Sequence, residues 1–447
     1  MSTPFRPVHL VAHFPGVNAS TVWSAPESGS QIDFASFKHF AQTAERGLFD
    51  YFFLAEGLRL REQNGEILEL DVAGRPNTLS ILAALAGVTE HLGLVGTLTT
   101  TFNEPVELAR QLATVDALSG GRVGWNVVTS PDAFHGGNFR RGGYLPYEER
   151  YERSEEFVRL AKRLWDAAAD GVAHVSHHGK HFDVDAAVRQ PVSPQRYPVI
   201  VQAGDSPAGR DFASANAEVI FSRHSSPADG RAFYADVKGR LASVGRTEDS
   251  LKILPGAGFV LGDSLADAAD NAERIAAQQV SAATAINTIE QLWGQALPGF
   301  DPDGPLPSFD PVQEGVIRQG QVRHFKDPKA VADQWRSQAQ REGLSAHQLI
   351  IKNTARPSFI GTPHQVALGI AEAVADRQSD GFVLVPHLTP TGLDGFVDTV
   401  IPELQDLGAF RTEYTPGETL RERLGLPADP PGVGSPDAAA AAAGRSA

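Results

Sequence analysis

Residues Leu92–Val128 read LGLVGTLTTTFNEPVELARQLATVDALSGGRVGWNVV and hold a complete strand–helix–strand unit. Leu92–Leu98 and Val123–Val128 are short, nearly continuous apolar runs. Runs of that kind suit strands of a parallel sheet covered on both faces. Between them, Pro105 stands where a first-turn proline belongs, a helix is expected over Val106–Leu118, and Gly120-Gly121 stops it.

The same unit repeats in both directions. Further strands are expected at Val8–Phe14, Tyr51–Ala55, Val199–Ala203, Val219–Phe221, Leu251–Val260 and Phe382–Pro386. Helices are expected between them, the first at Phe34–Arg46, where Phe34, Phe37, Phe40, Ala41 and Ala44 form one apolar stripe. Eight alternating units read as an α/β protein of the (β/α)₈ TIM-barrel class. The alternative is a doubly wound sheet with an appended domain. The count of eight, and the spread of insertions after strands 4 and 7, favour the barrel.

The chain has 447 residues, which at roughly 150 per domain suggests about three domains, although a barrel of roughly 250 or more can be one. The expected organisation is one barrel domain over residues 1–427, with insertions at about 129–146, 172–198 and 281–345. A flexible low-complexity tail is expected over 428–447. Residues 281–345 read as weakly ordered and lid-like, and the prolines of Leu297–Phe309 exclude regular structure there.

A net charge of −15 speaks against a nucleic-acid footprint, which needs clustered cations. No apolar run reaches membrane-spanning length. The absence of cysteine removes thiolate catalysis, disulfides and cysteine-based metal sites. With no apolar signal segment at the start, a cytoplasmic protein is expected.

Barrel active sites sit at the C-terminal ends of the strands. At the end of the fifth strand, Gly204-Asp205-Ser206-Pro207 places Ser206 at a helix N-cap and Pro207 at the first helical position. A helix start offers free N–H groups to a phosphate, with Arg150 and Tyr151 near enough to complete an anion site. The same residues also read as an ordinary capped helix. Asn126, in an otherwise apolar strand, must find partners if buried. A planar polar ligand such as a flavin ring would supply them, and so would a neighbouring strand. Glu56 ends the second strand, where it can accept a ligand N–H, act as a base, or pair with Arg59 or Arg61. Four histidines, His174, His177, His178 and His181, lie on an expected surface hairpin with no converging carboxylates, so no metal is assigned to them. No GxGxxG, GxxxxGK[ST] or GxSxG pattern occurs.

These residues resemble the bacterial-luciferase-like flavin monooxygenases, and within them the nitrilotriacetate monooxygenase and pristinamycin synthase large-subunit branch. The matching stretches are HFPGVNASTVW (13–23), ERGLFDYFFLAEGLRLRE (45–62), residues 102–130, NFRRGGYLPYEERYERSEEF (138–157), VQAGDSPAGRDFA (201–213), GFVLVPHL (381–388) and FVDTVIPELQ (396–405). The resemblance covers the chain to about Leu426 and implies a luciferase-like barrel. It implies a two-component enzyme in which a separate NAD(P)H:flavin reductase supplies reduced FMN. Reaction with O₂ through a C4a-peroxyflavin then inserts one oxygen atom into a small organic substrate. The cofactor carries the hard chemistry.

Carried over by position, the flavin contacts fall on Glu56, Thr101, Tyr147, Tyr151, Asp205 and Ser206, with Asn126, Val128, Arg150 and Gly204 as neighbours. Many relatives carry Asp where Glu56 stands and His where Tyr147 stands. Ala355-Arg356-Pro357 replaces a Gly-His pair of several sulfone-oxidising relatives, which weakens a desulfurisation reading. The substrate pocket is expected from His13, Asn18 and Trp23 after the first strand, Asn103 after the third and His387 after the eighth. His13 reads equally well as a satisfied structural histidine. No acid–base residue is assigned. The competing readings are an F420-dependent oxidoreductase and a non-catalytic flavin binder on the same barrel. The resemblance also implies a homodimer or a dimer of dimers.

Overall fold

The computed structural model describes residues 5–16, 21–23, 25–58, 62–63, 66–67, 76–130, 136–139, 145–146, 149–224, 226–313, 315, 322, 325, 327–354 and 357–428. Among the positions singled out above, Asn18, Arg59, Arg61, Tyr147, Ala355, Arg356 and the tail beyond Ala428 lie outside the described residues.

Eight parallel strands close on themselves. They are β1 (His9–Phe14), β2 (Tyr51–Leu54), β3 (Gly93–Thr99), β4 (Val123–Val128), β5 (Val199–Gln202), β6 (Val219–Ser222), β7 (Lys252–Leu261) and β8 (Gly381–Leu384). Each pairs with its neighbours in sequence, and β8 pairs with β1. The (β/α)₈ barrel expected from the strand count is therefore the fold.

The strands are apolar throughout because both faces are buried. Leu10, Ala12 and Phe14 of β1, and Trp125 and Val127 of β4, face outward into the core shared with the helices. Val11, Phe53, Val95, Val199, Val201, Val219, Leu254 and Val383 face inward and fill the barrel. Side chains alternate along a strand, so this inner set fixes which residues reach the upper mouth. They are His13 on β1, Thr97 and Thr99 on β3, Asn126 and Val128 on β4, and Phe221 on β6.

The helices begin where caps and prolines dictate. Asn77 accepts the Ser80 N–H at 3.0 Å, and Ser206, Ser226, Ser264 and Thr362 cap their helices in the same way. Helix Pro105–Ser119 has proline in its first turn and ends on Gly120 in the left-handed region, φ 73°.

A short helix, Leu420–Arg423, closes the lower end of the barrel. Leu420, Leu424 and Leu426 join the inner core there. A Cβ on Gly93 would lie 2.7 Å from Leu420 Cδ1, so glycine makes room for this floor. Arg421 forms a bidentate ion pair with Glu218, and both side chains are buried.

The insertion after β4 contains an antiparallel hairpin, His174–His178 with Asp183–Ala187. Glu156 fastens it to helix Arg150–Ala169 by accepting the His177 Nε2–H at 2.9 Å and the Phe182 N–H at 3.0 Å.

The insertion after β7 corrects the expectation of weak order. It contains helices Ala282–Trp293, Pro328–Glu342 and Ala346–Thr354. These bury their own apolar cluster, which includes Ile289, Trp293, Trp335 and Leu349. The proline-rich stretch has no regular structure, but it is held. Trp293 Nε1–H donates to Phe309 O at 2.8 Å, Arg336 Nε–H to Pro307 O at 2.9 Å, and the Ala346 N–H to Gly304 O at 2.8 Å. Strand Pro357–Gly361, which the sequence reading omitted, pairs in parallel with the second half of β7. No helix among the described residues is long and apolar enough to cross a membrane.

Candidate active site

The polar residues of β3 and β4 meet at the upper mouth. Asn126 is 2% exposed, and its Nδ2–H donates to Thr97 Oγ1 at 2.9 Å. Its Oδ1 is buried with no hydrogen-bond partner among the described residues. A buried orphan acceptor is costly, so a donor reaching Oδ1 would be stabilising.

Thr99 organises the loop above it. Its hydroxyl oxygen accepts the Thr101 N–H at 3.1 Å and the Ser130 N–H at 3.2 Å. Asn103 Nδ2–H donates to Thr99 O at 2.7 Å, so that side chain pins the turn after β3. Thr101 is buried and its hydroxyl donates to Ser130 O at 3.2 Å. Val128 carries the inner face of β4 to its end, and its carbonyl accepts the Thr100 N–H at 3.0 Å.

Glu56 stands on the rim beside them. The Thr99 N–H donates to its Oε2 at 3.2 Å. Burial pushes its carboxyl up to about 7, and the Thr99 bond opposes that shift only in part. Its protonation therefore changes near neutral pH. An ordinary carboxylate would be fully ionised there.

The loop after β5 forms the opposite side. Ser206 Oγ accepts the Gly209 N–H at 3.1 Å and starts helix Pro207–Asn216. A Cβ on Gly204 would lie 2.4 Å from Gln202 Nε2, and 3.2 Å from both Gly209 Cα and the Tyr151 hydroxyl. A side chain there would displace the Gln202 amide and crowd Gly209 and Tyr151, so glycine suits the close approach of the loop, helix and Tyr151. Burial raises the Asp205 carboxyl, against the charges of Arg223 and Arg210. Arg150 Nη1–H donates to Thr129 O at 3.1 Å, which fixes it between the loop after β4 and Tyr151. Tyr151 in turn lies against Phe212, with ring centroids 6.0 Å apart.

Aromatic rings form the wall of the mouth on the β1 side. The His13 and Phe53 rings are 5.1 Å apart, and Phe53 faces Phe221 on β6 at 6.0 Å. Trp23 is half-buried in the loop after β1. The amide of its neighbour Val22 donates to His387 O at 2.7 Å. The His387 side chain lines a cavity of about 200 Å³ on the flank, with Phe259, Asn271, Arg274 and Phe396. Its Nδ1 is buried with no partner among the described residues, and burial, with the Arg274 charge, lowers its pKa to about 4.

The ends of β2, β3 and β4 and the loop after β5 thus gather Glu56, Thr97, Thr99, Asn126 and Ser206 at one end of the barrel. Sequence reading singled out Asn126 without its partner Thr97, and missed Phe53 and Phe221. Counting by twos from Val95 along β3 reaches Thr97 and then Thr99. No group of three or more metal-ligating side chains occurs among the described residues. His177 and His178 of the hairpin pair instead with Glu156 at 2.9 Å and Asp183 at 2.6 Å.

Residues 15–382 match the family model of luciferase-like monooxygenases. The chain is 37% identical over 422 residues to nitrilotriacetate monooxygenase component A of Aminobacter aminovorans, covering 88% of this chain and 90% of that one. It is 34% identical over 461 residues to the dibenzothiophene-sulfone monooxygenase of Rhodococcus erythropolis, covering 95% and 98%. A solved structure of riboflavin lyase with modified FMN and riboflavin superposes with a TM-score of 0.76 at 25% identity, covering 94% and 96%.

Proposed function

The chain belongs to the luciferase-like monooxygenases, and from that premise we propose that it uses reduced FMN, delivered by a separate flavin reductase, to oxygenate a small organic substrate. The observation that carries the reading is the orphaned Oδ1 of Asn126, buried on the inner face of β4 where a ring or ribityl donor would complete it. The rest of the mouth fits the same group. Ser206 at a helix start, the Asp205 backbone and Arg150 would hold the phosphate. Gly204 keeps the loop open to it, while Thr101, Val128 and Tyr151 would contact its polar and apolar parts.

When bound, reduced FMN supplies the electrons that split O₂, with one oxygen atom going to substrate and the other to water. The chain's own part is to orient, exclude water and manage protons. Phe53, Phe221 and Val128 give the mouth an apolar lining, which keeps bulk water from the reacting face. Glu56 holds a proton on its carboxyl near neutral pH and can release or recover it as water forms. Trp23 and Asn103 would border the substrate. We further propose that the protein works as a homo-oligomer, which light scattering of the purified chain checks.

Anaerobic titration with reduced FMN, followed by admission of oxygen, tests the reading. Saturable binding, and flavin reoxidation at a rate different from that of free flavin, is the expected result. No binding, with reoxidation identical to free flavin at every protein concentration, overturns it. The same titration with F420 separates the deazaflavin chemistry.

A further inference from the structure

His13 has a single fixed tautomer. Its Nδ1 lies 3.1 Å from the Phe53 carbonyl oxygen. A carbonyl only accepts, so the proton sits on Nδ1 and Nε2 keeps its lone pair. Burial lowers the pKa of the ring to about 4, with the Phe53 bond opposing only in part, so the imidazole is neutral in ordinary buffers.

The strand sets where that lone pair lies. Val11 belongs to the cluster that fills the barrel, and His13 follows it by two residues on β1, so it shares the inner face at the upper end. The ring rests against Phe53, which faces Phe221 across the lumen. No hydrogen bond to Nε2 is formed among the described residues. A neutral ring held by one nitrogen, with the other uncommitted in the mouth, is a hydrogen-bond acceptor set in an apolar wall.

We propose that His13 determines substrate specificity, its Nε2 accepting a hydrogen bond from an N–H or O–H of the substrate while the Phe53–Phe221 wall packs the apolar body beside that group. The substrate class is then an amine, amide or alcohol on an aromatic or aliphatic frame. A site that offers an acceptor to a donor rejects the analogue lacking it, because the buried acceptor is left unpaired. This deepens the monooxygenase reading and rests on it for the reaction, but the binding step needs no flavin.

The test uses the full chain without flavin, ¹⁵N-labelled at its 14 histidines, and pairs of small fragments that differ only in the donor. Benzyl alcohol with benzyl methyl ether, and benzylamine with N,N-dimethylbenzylamine held above its pKa, are suitable probes. His13→Phe assigns the His13 signal and keeps a ring of similar bulk. The wild-type spectrum should show one neutral tautomer across pH 6–8. Donor-bearing fragments should shift the Nε2 resonance and bind about fivefold more tightly than their capped partners, the factor expected of one net hydrogen bond. That preference should vanish in His13→Phe. The proposal is overturned if no donor-bearing fragment moves Nε2, if the capped partners bind equally well, or if His13 shows both tautomers. Because no flavin is present, failure here leaves the reduced-FMN titration untouched, and failure of that titration leaves this result standing.

Discussion

Asn126 Nδ2 donates to Thr97 Oγ1 at 2.9 Å, so one half of the amide is satisfied within the barrel, while its Oδ1 is buried with no partner among the described residues. Asn126→Leu keeps the volume and removes the orphan acceptor. The unliganded protein should lose no more than about 1 kcal/mol, because an unsatisfied buried group disappears along with the Thr97 bond. Reduced-FMN affinity should fall about tenfold, the effect of roughly 1.4 kcal/mol of lost hydrogen bonding. Urea unfolding and anaerobic titration of the same preparation measure both. A variant that loses stability and retains its flavin affinity would show that Asn126 is purely structural.

Glu56 supplies a pH signature. Its folded-state pKa, about 7, lies above the usual value of 4.5. The folded protein therefore binds more protons than the unfolded chain between those two values, and stability falls as pH rises through that window. Glu56→Gln removes the titrating group. Its melting temperature should match wild type near pH 4.5 and exceed it at pH 8. In turnover, the wild-type rate should change across a midpoint near 7, and the variant profile should be flat in that range.

Gly204 tests the close approach of the β5 loop. In Gly204→Ala the new methyl meets Gln202 Nε2 at 2.4 Å, with Gly209 and Tyr151 just beyond. Overpacking of this kind costs about 1–3 kcal/mol. The urea midpoint should drop, and flavin binding should weaken further if the displaced loop holds the phosphate as proposed. A variant with wild-type midpoint and affinity would show that the loop yields freely.

The floor of the barrel carries a separate prediction. Leu420→Ala should cost about 2–5 kcal/mol, the range for a fully buried leucine. Glu218→Gln leaves the buried Arg421 without its counter-charge and should cost about 3–5 kcal/mol. Neither residue lies at the upper mouth. In the folded fraction of each variant, flavin affinity should stay at the wild-type value while the denaturation midpoint falls.

Much of this fold was legible because each element of the repeat announces itself locally. Val123–Val128 is apolar at every position but Gly124 and Asn126, and Pro105 and Gly120 mark the two ends of one helix. The helices at 282–293 and 328–342 carry similar marks. Ser281 caps one and Asp327-Pro328 starts the other, while Gly294 and Gly343 end them. They were obscured by the prolines between them, whose order comes from Trp293 and Arg336, contacts that no local pattern shows. The floor helix spans only four residues, too few for any periodicity to be read, and its capping box of Thr419 and Glu422 is the sole local sign.

The candidate site divides in the same way. Ser206 was readable from the Ser-Pro pair that starts its helix. The raised pKa of Glu56 was not, since it comes from burial in the folded chain, which no local pattern shows. Whether Glu56 pairs with Arg59 or Arg61 falls outside the described residues. His387 follows a strand end, yet its ring lines a cavity with Arg274 on the flank, because the chain turns after β8 toward the loop that holds Val22.

The barrel floor also constrains how this chain is made. The Leu420 N–H donates to Gly121 O at 3.0 Å, and Arg423 donates to the carbonyls of Asp50 and His91 at 3.3 and 2.6 Å. Synthesis proceeds from the N-terminus, and domains generally fold as units during it. A ribosome making this protein therefore releases all eight strands before the piece that seals them from below. Until residues 420–426 emerge, Tyr51, Val95 and Val199 lack Leu420, Leu424 and Leu426 as packing partners, so the inner core cannot be completed before the last part of the chain is made.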